Sequence, residues 1–446
     1  MKEHLSNAAY GVLDYAAYPI GMLLVAPVVL HKLGPAEYGV WIVATAVVST
    51  GGIVASGFGD ANIQHVAGLR SSGDKSALEH IVRSMMGINL TLGILLSLLG
   101  WMLAPSAARH IMSSDVAQQH ACLVSLRIAS CLMLVRALES VSISTYRAFG
   151  QYGAAVRISI AFRSLGLAAV GVAAYNGYGT VSMMAVSGVL VTLGTWIQLR
   201  KLRTFLGIES LRPTFNRDAA KALFSFGVFS WLQAVAGVIL GQVDRLLLGV
   251  SLGAVAVASY ALCVQLAQPI FGFTASGLHF LFPYLSGRAS KISMHQLKKT
   301  LLTAFGWNLL LVIAGTVLLL SFGDHLLRAW AGVEIARSAA LIFPTVVIGS
   351  ALLGLSVTGN YALLAFGLVR IAAWINVFGG VIMLLLMWFL LHRSGVDGLA
   401  QARLCYGLLS LLVYLPLMRR LRTKQIIGME SAAVSHARVL QEVSPS

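Results

Sequence analysis

Eight ionisable side chains other than histidine fall inside long apolar runs of the sequence: Asp14, Arg127, Arg136, Glu139, Arg163, Asp244, Arg245 and Arg403. If those runs lie in lipid, an uncompensated charge costs at least about 2.5–3.5 kcal/mol, so these positions are the first candidates for chemistry. Five of the eight are cationic and three anionic, a surplus that suits an anionic ligand. The planar guanidinium fork matches the oxygens of a carboxylate or phosphate. Arg127 and Arg163 each sit about eight residues inside the end of an apolar run, from opposite ends. At 1.5 Å per residue both are roughly 12 Å deep, so one cavity near the midplane could receive them. They are the expected ligands of such an anion.

The other six divide by spacing. Arg136 and Glu139 are three residues apart, the ordinary spacing of a helical ion pair, with Arg136 also a candidate for substrate and Glu139 for gating. Asp244 and Arg245 are adjacent and point about 100° apart on a helix, so they are poorly placed to neutralise each other. Asp14, with Tyr10, Tyr15 and Tyr18 nearby, could take up a proton or ion or gate an inner mouth. Arg403, a turn or two from the end of its run, could join the substrate site or snorkel to the surface.

The elements that position these residues follow from composition. Hydrophobic residues make up 58% of the 446-residue chain and charged residues 11%, with a mean hydropathy of +0.82, which excludes an ordinary soluble domain. A hydrocarbon slab of about 30 Å needs roughly 20 helical residues. Twelve runs of that size are expected near 8–30, 38–58, 82–104, 119–140, 155–175, 179–199, 223–249, 255–283, 300–322, 338–358, 367–391 and 397–417. They are apolar on all sides, unlike the alternating strands of a barrel. The N-terminal segment carries too little positive charge and no small-residue cleavage site, and is expected to remain as the first helix.

The net charge of +16 is unevenly spread. Alternating the loops between two sides gives 22 Lys and Arg on the side of the N-terminus and 5 on the other, which predicts both termini on the cytoplasmic side of the membrane. The basic residues therefore read as a topology signal helped by anionic headgroups, not as a nucleic-acid surface. Cys122, Cys131, Cys263 and Cys405 lie in expected spans without metal-ligand spacing and read as small buried hydrophobes, and no cofactor is expected. There is no GxxxxGK[ST] and no HExxH. One GxSxG, Gly249 to Gly253, falls in a turn between spans instead of a strand-to-helix elbow.

The longest polar interruption between spans, RKLRTFLGIESLRPTFNRDAAK at about 200–221, divides the chain into six spans and six. The expected organisation is a six-helix lobe at 1–205, a cytoplasmic linker at 206–222, a second lobe at 223–420 and a cytoplasmic tail at 421–446. Leu33-Gly34 aligns with Leu252-Gly253 at an offset of 219, and Tyr38 with Tyr260 at 222, a weak internal duplication. Parallel six-span repeats would leave a cavity between them. In LGPAEYGVW (33–41), Gly34-Pro35 should break the first helix, Glu37 should start the second, and Tyr38 and Trp41 should lie at headgroup depth.

Taken in order, LGPAEYGVW, SGFGDANIQHVAG (56–68), YRAFGQYG (146–153) and the run from 224 to 270 resemble bacterial polysaccharide flippases. These are the polysaccharide transporters of the multidrug/oligosaccharidyl-lipid/polysaccharide exporter (MOP) superfamily. The resemblance covers roughly the first 290 residues and implies an all-α, two-lobed protein of twelve transmembrane helices. It implies transport of an undecaprenyl-pyrophosphate-linked oligosaccharide from the inner to the outer leaflet, beside a polysaccharide polymerase and a chain-length regulator. It also implies that Asp244 and Arg245 form a lock between the lobes. The alternatives are a drug or metabolite antiporter, which would prefer cavity carboxylates, and a membrane polymerase or ligase. The enzyme reading would need a large outer loop, and the longest here are about fifteen residues, near 105–118 and 323–337.

Overall fold

The computed structural model describes residues 2–72, 74–112, 116–214, 217–278, 281, 285 and 294–421. The side chains of 2–16 and 217–230 and a few scattered ones lie outside that description. The described secondary structure is helical: α1 (Lys2–Ser56), α2 (Gly59–Ser72), α3 (Lys75–Ile111), α4 (Val116–Ala148), α5 (Tyr152–Tyr175), α6 (Thr180–Leu206), α7 (Arg217–Gly277), α8 (Met294–Ala365) and α9 (Val369–Ser410). A 3₁₀ turn, Leu411–Val413, follows. Among the described residues, eight helical stretches are long and apolar enough to cross a membrane. Leu24, Met102, Leu341 and Trp374 are more than 70% exposed, which lipid tolerates and water would not. The chain is a multi-pass membrane protein.

Four of the helices are interrupted at one glycine each: α1 at Gly34, α7 at Gly253, α8 at Gly332 and α9 at Gly395. Gly34 has φ 86° and ψ 175°, and Gly253 has φ 82° and ψ 179°. This is a region that only glycine enters freely, and the chain can turn back there without leaving the helical path for long. The two glycines aligned from sequence therefore adopt the same conformation. The break expected at Gly34-Pro35 is present, and Tyr38 and Trp41 just beyond it are buried in the protein at 0% and 1% exposure. Packing claims them: Tyr38 donates to Gln265 Oε1 at 3.1 Å and meets the edge of Trp41.

Glu37 does more than begin the second arm of α1. Its Oε2 accepts from the backbone N of Thr180 at 2.6 Å, and also from the Thr180 hydroxyl, so it caps the N-terminus of α6. Lys32 lies over the Tyr175 ring at 4.6 Å, so this short polar turn fastens the connection between α5 and α6. α2 was not among the expected spans. Gly57 and Gly59 flank the break before it, and its buried Asn62 donates to Ser144 and Thr145 of α4 at 2.8 and 3.0 Å. The SGFGDANIQHVAG motif thus serves to tie α2 to α4.

The chain separates into two compact units, one of residues 1–265 with 325–339 and one of 266–324 with 340–446. In the first, α3 packs on α4, α1 on α4 and α5, and α6 on α5 and α4. In the second, Leu281, Leu297, Leu301, Val357, Leu363 and Leu417 share a core. There Asn308 of α8 donates to Gly354 O and Thr358 Oγ1, both at 3.0 Å, and Tyr414 donates to Leu355 O at 2.6 Å.

Candidate functional site

Along α4, Arg136, Glu139, Ser140, Ile143 and Arg147 recur at helical spacing and form one face. That face closes one side of a cavity of about 660 Å³ within the first unit. α1 supplies Tyr18, Trp41, Thr45 and Ser49, α5 supplies Arg163, α6 Ser187 and α7 Gln242. Glu139 is 4% exposed and organises the charges. Arg136 Nη1 lies 2.6 Å from its Oε2, while Ser159 donates to Oε1 at 2.5 Å and Arg163 Nη2 stands 3.7 Å from that same oxygen.

Three arginines line the cavity against one carboxylate. The Tyr18 hydroxyl feels the positive fields of Arg136, Arg245 and Arg163, which puts Arg245 in electrostatic reach of the same space. Glu139 satisfies part of the charge and holds two guanidinium groups in order; the remaining surplus attracts an anion into a region where screening by water is weak. Oxygens of a phosphate or pyrophosphate fit those donors. Among the described residues, no three His, Cys, Asp or Glu side chains cluster as metal ligands.

A family model described as polysaccharide biosynthesis protein matches residues 32–306, more than half of the chain. The chain belongs to this family. No curated protein sequence matches it. Its fold is similar to that of lipid II flippase MurJ in an inward closed conformation, with a TM-score of 0.75 and 14% identity over 98% of this chain and 94% of that one. An inward-facing multidrug resistance MATE transporter of the MOP superfamily matches with a TM-score of 0.73 and 14% identity, over 92% of this chain and 98% of that one. A MOP superfamily transporter from Pyrococcus furiosus matches at 0.61 and 14%, over 95% of each chain. The polysaccharide biosynthesis family member therefore has the fold of these transporters.

In this family member the expected pairing of Arg136 with Glu139 is present, and Arg163 joins the same carboxylate. Arg127 does not share their cavity. It lines a separate groove with Trp101, Ile128, Thr192 and Trp196, its guanidinium carbon 4.8 Å from the Trp101 ring centre. Arg127 and Arg136 are nine residues apart, about 900° or half a turn out of phase, so they occupy opposite faces of α4. Depth alone placed Arg127 beside Arg163; direction around the helix separates them.

Asp244 is 1% exposed; Tyr260 donates to its Oδ2 at 2.9 Å and the Arg245 backbone N to its Oδ1 at 2.8 Å. Tyr260, the counterpart of Tyr38, thus closes the two arms of α7 on each other. Arg403 is half-buried in α9 of the second unit, where its carbonyl and Leu404 pack against Gly349 of α8. The side chain of Asp14 lies outside the described residues. Arg147 and Gln242 complete the cavity without having been singled out in the sequence, and Tyr18, named there only as a neighbour of Asp14, joins them. Arg147 had been counted with the loop charges, although its spacing of eleven from Arg136 carried the signal.

Proposed function

We propose that this protein is a flippase that carries an undecaprenyl-pyrophosphate-linked oligosaccharide from the inner to the outer leaflet of a bacterial inner membrane. The observation that carries the reading is the cavity in which Arg136, Arg147 and Arg163 outnumber Glu139. Arg136 and Arg163 hold the pyrophosphate, Arg147 adds charge, and Tyr18, Ser49 and Gln242 offer hydrogen bonds to the attached sugar. The prenyl tail stays in lipid. A cationic drug would find the cavity's carboxylate already engaged by two arginines, which disfavours the antiporter reading.

The family membership and the transporter fold support alternating access as the working cycle. On this reading each glycine-broken stretch among the eight of membrane length forms two spans, twelve in all, arranged as lobes at 1–205 and 223–420 joined by the linker at 206–222, with the tail at 421–446 and both termini cytoplasmic. Asp14, Asp244, Arg245 and Glu139 are the gating or ion-coupling candidates, and Arg403 a further substrate contact. A polysaccharide polymerase and a chain-length regulator are the proposed partners.

The test is restoration of surface polysaccharide in a flippase-null strain, with membrane expression matched between variants. Arg163→Gln and Arg136→Gln should lose transport and accumulate the lipid-linked intermediate in the inner leaflet, and Arg163→Lys, which keeps the charge without the fork, should fall between. Losing one charge-assisted contact to phosphate corresponds to roughly 10- to 150-fold in affinity, about 1.5–3 kcal/mol. Arg127→Gln, on the other face of α4, should transport better than either. Full restoration by both cavity Gln variants would remove the reading.

A further inference from the structure

We infer that the second unit carries a binding site for an anionic phospholipid, separate from the arginine cavity. A groove of about 800 Å³ runs along the first half of α8 beside the C-terminal end of α7. Lys299 stands at its entrance, Thr300 and Thr303 follow on the same face of α8, and Trp307, Leu311 and Phe273 form its apolar walls. Trp307 is 68% exposed and Phe273 66%, so the groove is open to whatever solvates the helices.

Its chemistry is graded along its length. Lys298 and Lys299 precede the apolar run that begins at Leu301, which puts the entrance at the membrane surface and the aromatic wall below it. From Lys299 to Leu311 is twelve residues, about 18 Å, close to the depth of one leaflet. Among the described residues Lys299 has no ion-pair partner, and no carboxylate lines the groove. The nearby N-terminal end of α8 adds partial positive charge. A headgroup phosphate at Lys299, with the two threonine hydroxyls below it and one acyl chain against Trp307, Leu311 and Phe273, matches this order of groups. The site does not depend on what the arginine cavity transports.

The test uses the purified full-length protein in liposomes whose acyl chains carry bromine, a short-range quencher of tryptophan, with either phosphatidylglycerol or phosphatidylcholine as the brominated lipid. The Trp307 signal is taken as the difference between wild type and Trp307→Phe. Brominated phosphatidylglycerol should compete for the site about fivefold better than brominated phosphatidylcholine. Lys299→Gln should bring the two to parity, and Lys299→Arg should keep the preference, which separates a binding role from a folding one. Equal quenching by both lipids in the wild type, or an unchanged preference in Lys299→Gln, would overturn the site. So would displacement of brominated phosphatidylglycerol by an equal amount of prenyl phosphate, since the occupant would then be the transported lipid class.

Discussion

Arg163 Nη2 lies 3.7 Å from Glu139 Oε1, on the opposite side of the carboxylate from Arg136, so a single buried acid joins α4 to α5. Glu139 is the only anion among the cavity's described lining residues, and the two guanidinium groups it engages are the ones proposed to hold phosphate. Removing one partner of a buried ion pair leaves an uncompensated charge, typically at a cost of about 3–5 kcal/mol. Glu139→Gln should therefore lower the melting temperature of the detergent-purified protein. Added inorganic pyrophosphate should recover more of that loss than it adds to wild type, because the arginines are then free to bind it. A Gln variant that melts like wild type with and without pyrophosphate would show that Glu139 does not neutralise them.

Three of the charges that build the cavity, Arg136, Glu139 and Arg163, were visible in the sequence. What the sequence withheld was direction. Arg127 and Arg163 were expected at comparable depths, yet half a turn of α4 sends Arg127 toward Trp101 and away from Glu139. Tyr38 and Trp41 were read from the depth that aromatic residues favour, whereas the packing partner could not be read: Tyr38 donates to Gln265, 227 residues away. The glycine breaks were more legible. Gly34 announced itself by the proline after it, and Gly253 by its alignment with Gly34; Gly332 and Gly395 were not singled out, although each falls in a polar interval between expected spans, 323–337 and 392–396.

Sidedness rests on the 22 to 5 distribution of basic loop residues and is open to direct labelling. In a cysteine-free background, Ser106→Cys, on an exposed turn of α3, should react with an impermeant thiol reagent in intact cells. Ser210→Cys, in the segment after α6, should react only after the membrane is permeabilised. Labelling of Ser210→Cys in intact cells would invert the topology, and with it the direction of transport.

Close backbone contact between the second arms of α1 and α7 is the last feature with a measurable consequence. A Cβ placed on Gly39 would overlap the carbonyl group of Ala254, one residue beyond the break at Gly253. Backbone cannot rotate away as a side-chain end can, so Gly39→Ala must push the two arms apart; overpacking of this kind typically costs about 1–3 kcal/mol. Gly253→Ala removes the freedom that φ 82° requires and brings the added carbon within 3.0 Å of the Ile111 carbonyl oxygen, so it should cost about as much. Gly241 supplies the control, because it lies in α7 with nothing within 4 Å of the added carbon. There, Ala should be neutral or stabilising by about 0.5–1 kcal/mol through helix propensity. Thermal unfolding in one detergent should therefore rank Gly241→Ala at or above wild type and the other two below it. If Gly39→Ala unfolds with Gly241→Ala, the arms are not in backbone contact.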